Sequence, residues 1–135
     1  MAVGLVYLQI VFGALVTHSG WLDLHIAGAI AVFAVVPVVT ARLRRSADPV
    51  ATPLSRWILA LLGVQLLLGI ASYLSRFTPI WIPGGQVTML VVPVAHRLMG
   101  ALILAATTIL AVRTRGAARA LARPVPGRLA EGLSR

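Results

Sequence analysis

The chain has 135 residues, of which 59% are hydrophobic and only 11% charged, with a mean hydropathy of +0.96. A water-soluble domain carries about 25% charged residues, so this composition excludes one and points to a chain solvated by a lipid bilayer. The net charge of +9 comes from twelve arginines, no lysines and three acids. The arginines gather at the ends of apolar runs, where membrane topology calls for them, which argues against nucleic acid as a partner. The absence of cysteine excludes disulfides, thiolate metal sites and iron–sulfur clusters.

A helix crossing a hydrocarbon layer about 30 Å thick needs roughly 20 apolar residues, and four such runs fill most of the chain. The first, 2–17, has neither a basic leader nor a small-residue cleavage site, so it is expected to remain as a helix and not to be removed as a signal peptide. The second, 22–43, contains Pro37. The third is 56–74, and the fourth, 87–112, contains Pro93. Prolines are tolerated in membrane helices where neighbours satisfy the freed carbonyls, and both are expected to mark kinks. The connection 77–85, with two prolines and two glycines, cannot continue a helix. Trp21 and Trp81 suit the interfacial belt on the same side as that connection.

Orientation follows from the arginines. Arg42, Arg44, Arg45 and Arg56 flank the second connection, and Arg113, Arg115, Arg119, Arg123, Arg128 and Arg135 follow the fourth run. The first and third connections together hold only Arg76. The positive-inside rule then places both termini in the cytoplasm and the protein in the cell (plasma) membrane. The expected fold is all-α: an integral membrane four-helix bundle over residues 1–115, built from two helical hairpins. An arginine-rich tail, 116–135, is expected to be poorly ordered and held near anionic lipid.

The hairpins resemble each other. Gln9 and Gly13 on the first helix recur as Gln65 and Gly69 on the third, a Gln-x-x-x-Gly pattern at a spacing of 56 residues. Each is followed by a helix with a histidine near its start: His25-Ile-Ala-Gly28 and His96-Arg-Leu-Met-Gly100. This predicts a pseudo-two-fold bundle.

Polar side chains inside membrane helices are costly and therefore mark functional candidates. Those at helical positions are His25, His96 and Arg97, with Gln9 and Gln65 as polar companions. Helices 2 and 4 start on the same side and run parallel. His25 lies about one turn into its helix and His96 about two, so the imidazoles are expected at similar depth, facing each other across the bundle. That arrangement suits bis-histidine ligation of a haem. Tetrahedral zinc would need two more ligands, and only Asp23 and His18 are near. Gly13, Gly28, Gly69 and Gly100, one per helix, leave room for a porphyrin, or alternatively serve helix packing alone. His18 is expected at the surface or against a propionate. Arg97 and Arg76 are candidates for propionate contacts by charge-assisted hydrogen bonds, with snorkelling to the interface the alternative for Arg97.

The segment Leu8-Gln-Ile-Val-Phe-Gly-Ala-Leu-Val-Thr-His-Ser-Gly20 resembles the helix opening each half of the haem A synthase family of cytochrome oxidase assembly proteins. Val92-Pro-Val-Ala-His96-Arg97-Leu-Met-Gly100-Ala resembles the histidine-bearing fourth helix of a half. The resemblance spans about residues 5–112. It implies one four-helix half of an eight-helix protein, with His25 and His96 as the axial pair of a haem b, or of haem O or haem A. Members that hydroxylate haem O place a glutamate one turn before a histidine. Here Asp23 lies two residues before His25, no glutamate precedes Glu131, and the family's arginine near the end of the first helix is Thr17.

Three functions follow as expectations. The first is a membrane cytochrome b-like protein for electron transfer or haem handling in respiratory oxidase assembly. The second is haem A synthase activity, rebuilt by a homodimer. The third is a haem-free structural subunit of a larger membrane complex, respiratory or photosynthetic.

Overall fold

The fold is set by how far each apolar run can continue as helix. In the computed structural model, which describes residues 1–45, 48–79 and 83–121, four helices follow in order: α1 (Ala2–Ser19), α2 (Leu22–Arg45), α3 (Ala51–Phe77) and α4 (Gly85–Leu121). No strand occurs among the described residues. Each helix is long and apolar enough to cross a membrane, so the chain is a multi-pass membrane protein. Trp81 and residues 122–135 lie outside the described residues.

Every helix extends past its apolar run, and at the arginine-rich end α2 and α4 do so through arginine, alanine and leucine, which favour helix. α3 starts at Ala51, five residues before Arg56, and accommodates Pro53 in its first turn, where the missing N–H leaves no bond unmade. α4 continues six residues beyond Arg115, the expected end of the bundle. Both α2 and α4 run unbroken through their prolines, Pro37 and Pro93. α1 stops at Gly20, whose φ of +70° is a left-handed conformation that glycine adopts without a Cβ clash. Only Gly20 and Trp21 separate α1 from α2, which forces the two into an antiparallel hairpin.

Each helix packs on its chain neighbours and α1 closes on α4, leaving α1/α3 and α2/α4 as the diagonals of the bundle. The densest packing lies toward the arginine-rich end. There Val6, Val32, Val36, Ala51, Ile58, Leu62, Ile103 and Leu110 form one cluster. At the same level, the buried hydroxyls of Thr40 and Thr107 bond carbonyls of their own helices, Thr40 to Pro37 and Thr107 to Ile103 and Leu104. The outward faces carry Ile30, Leu67, Leu90, Leu98 and Val112, all more than half exposed. Water would not solvate them, and lipid does.

Asp48 organises the entry to α3. Its Oδ1 accepts from the backbone N–H of Val50 at 2.8 Å and of Ala51 at 2.7 Å. Bonds from Ala51 and then Val50 hold this carboxyl below the usual aspartate range, with a further contribution from the nearby Arg113 charge. Because the folded state prefers the charged form, the cap's contribution is complete above the unfolded aspartate value of about 3.9. It is lost as pH falls through the lower, folded value. The protection of the Val50 and Ala51 amides from hydrogen exchange, taken relative to the intrinsic rate at the same pH, is therefore expected to be full at neutral pH and to fall in acid. Asp48→Ala should remove it at every pH.

Candidate functional site

Away from the arginine-rich end the bundle is looser, and the two histidines occupy its interior there. His25 is the fourth residue of α2 and His96 the twelfth of α4, yet their ring centroids are 6.2 Å apart with planes at 80°. Two helices on a diagonal thus meet through their imidazoles. Eight extra residues at about 1.5 Å each mean that α4 begins about 12 Å further out than α2, and the two rings meet at the similar depth expected from the sequence.

Each ring sits against a glycine of its hairpin partner. A Cβ at Gly13 would stand 3.0 Å from Cε1 of His25, and one at Gly69 would stand 3.1 Å from Cε1 of His96. The opposite relation also holds. Gly28, on the histidine helix α2, faces the Gln9 side chain, and a Cβ there would collide with Gln9 Oε1. Gly100 on α4 faces Gln65, whose Nε2 would lie 3.5 Å from an added Cβ. Glycine on one helix makes room for the histidine of the other, and glycine on the second makes room for the glutamine of the first. The unit occurs twice, once per hairpin.

The glutamines contact the imidazoles. Gln9 Nε2 lies 3.1 Å from His25 Nδ1 and donates to the His25 carbonyl at 2.8 Å. Gln65 Nε2 lies 3.3 Å from His96 Nε2. The sequence marks both glutamines as polar companions of the histidines. Their role as direct partners is a finding of the structure, and the Gln-x-x-x-Gly repeat is the signal that carries it. Gln9 Oε1, Gln65 Oε1 and His96 Nδ1 are buried without a hydrogen-bond partner among the described residues. Buried polar atoms without partners are expensive, so three of them around one ring pair mark a place prepared for a further contact.

The remaining sequence candidates stand apart from this centre. Arg97 is exposed, and its Nη2 donates to Thr17 Oγ1 at 3.4 Å, joining α4 to α1. His18 and Arg76, in the last turns of α1 and α3, are exposed and bond to none of the described residues. Among the described residues no group of three or more His, Cys, Asp or Glu converges, so a four-ligand zinc site of the usual donors is not assembled. Two imidazoles with amide partners instead suit a metal that takes only two protein ligands along one axis. The chain matches no protein-family model, no curated protein and no solved structure.

Proposed function

We propose that the protein binds one haem, of the b type or of the O or A type, between its hairpins with His25 and His96 as axial ligands. Its function is electron transfer or haem handling in respiratory oxidase assembly. The observation that carries this reading is the 6.2 Å separation of the two rings. With a metal–nitrogen bond of about 2.0 Å, an axial imidazole centroid stands about 3 Å from its metal, and two across the metal stand about 6 Å apart. The pair is already at that distance. Held by His25 and His96, a haem would supply one-electron transfer and not oxygen activation.

The chain's own residues supply the rest. Gly13 and Gly69 admit the imidazoles, and the amides of Gln9 and Gln65 each reach one ring nitrogen. A ligating histidine donates its second N–H, so each amide would turn its oxygen, which has no partner among the described residues, toward that nitrogen. The dry layer of Val36, Ile58 and Ile103, none more than 2% exposed, closes the bundle toward the arginine-rich end. A haem would therefore not reach the histidines from the arginine-rich end. By the positive-inside rule the arginine-rich end faces the cytoplasm of a plasma-membrane protein, and the histidines lie in the outer leaflet.

Reduced-minus-oxidised absorption of the detergent-purified protein tests the reading. A Soret band and the sharp visible bands of a low-spin cytochrome are expected, and His18→Ala should leave them in place. A colourless protein that takes up no added haem would instead be a structural subunit of a larger complex.

A further inference from the structure

α4 has 37 residues and at about 1.5 Å each is some 55 Å long, well beyond a hydrocarbon layer of about 30 Å. It overhangs the bundle at the arginine-rich end. In the angle between this overhang and the α2–α3 connection lies a cavity of about 840 Å³, within the roughly 300–1,000 Å³ of small-ligand sites. It has nothing to do with the histidine centre. Leu43 and Leu110 form its apolar wall, Arg113 and Thr114 line it as polar groups, and Gly116 and its neighbouring alanines keep one side low.

The charge around it is one-sided. Arg42, Arg44, Arg45, Arg56, Arg113, Arg115 and Arg119 gather at this end, and Asp48 is the one described acid. Asp48 lines the cavity too; its carboxylate accepts from two backbone N–H groups and feels the Arg113 charge, and the six further arginines at this end outnumber it. That excess of positive charge favours an occupant that is anionic at one end and apolar at the other and reaches the site at interfacial depth.

We infer that this cavity is a binding site for an anionic phospholipid, its phosphate at Arg113 and the start of an acyl chain against Leu110 and Leu43. Basic pockets at membrane-helix ends bind such headgroups through charge and depth together. A built site differs from diffuse attraction in one respect: filling the space abolishes binding although no charge changes. Gly116 allows that substitution, since a Cβ there meets nothing within 4 Å.

The test is native mass spectrometry of the detergent-purified chain with phosphatidylglycerol, with phosphatidylcholine of the same acyl chains, and with inorganic phosphate. The wild type should retain one phosphatidylglycerol in preference to phosphatidylcholine and should not retain phosphate alone. Arg113→Gln should weaken retention roughly fivefold or more, and Gly116→Phe should do the same with the net charge intact. Arg56→Gln removes an equal charge from the same end, outside the cavity, and should have the smaller effect. If Gly116→Phe does not fold by circular dichroism, Ala118→Leu on the same wall replaces it. Equal retention by the filled variant and the wild type, equal effects of Arg113→Gln and Arg56→Gln, or retention of phosphate without lipid would each overturn the assignment.

Discussion

His96→Ala is expected to strip the purified protein of its Soret band while leaving its helix content unchanged. The ring lies on the α2/α4 diagonal, 6.2 Å from His25, and no other histidine of the chain is placed to substitute for it, since His18 is exposed at the end of α1. Loss of a residue that merely supports a metal ligand costs roughly 10–100-fold in affinity, so loss of the ligand itself should exceed that range. The fold should survive because the buried apolar cluster lies toward the other end of the bundle and contains neither histidine. His25→Ala should behave alike. Loss of haem from both variants, with retention in His18→Ala, distinguishes a ligand pair from a general dependence on polar residues in the outer half.

The second large effect is expected from the glycines. At Gly69 an added Cβ meets His96 Cε1 at 3.1 Å, and at Gly13 it meets His25 Cε1 at 3.0 Å. Alanine there asks the ring to shift by a few tenths of an ångström. Leucine cannot share the space, and overpacking of this kind costs about 1–3 kcal/mol where the neighbour cannot yield. The imidazole will yield first, because it is only partly buried. Gly69→Leu and Gly13→Leu should therefore lose haem while the helices persist by circular dichroism. Gly63→Leu is the matched control on α3: a Cβ there meets nothing within 4 Å, so haem content should equal that of the wild type. If Gly69→Leu retained haem at the wild-type level, the glycine would be a helix-packing residue and no cradle for the ring.

Much of this architecture is legible in the residue pattern. Four apolar runs predict four spans, and four helices long and apolar enough to cross a membrane are found. Their ends are less legible, because hydropathy marks where lipid ends and not where helix ends. α3 gains five residues before Arg56 through Ala51 and Pro53, and α4 gains six beyond Arg115. The histidines stand out because few polar side chains interrupt the apolar runs. The similar depth of His25 and His96 is legible from their places in two parallel helices, and the rings do meet; the extra turn at the start of α4 is not. Nor does the reciprocal fit of Gly13 to His25 and Gly28 to Gln9 follow from spacing alone. It depends on the rotation of each helix about its axis, which packing decides.

Whether two imidazoles of one chain bind one iron is measured most directly by pulsed electron paramagnetic resonance on the oxidised protein, grown with ¹⁵N-histidine. Two equivalent histidine nitrogens coupled to a low-spin iron are predicted for the wild type, and one for His25→Ala if it retains any haem when reconstituted. A single coupled histidine in the wild type, or a signal that survives the loss of both His25 and His96, would contradict ligation by the pair.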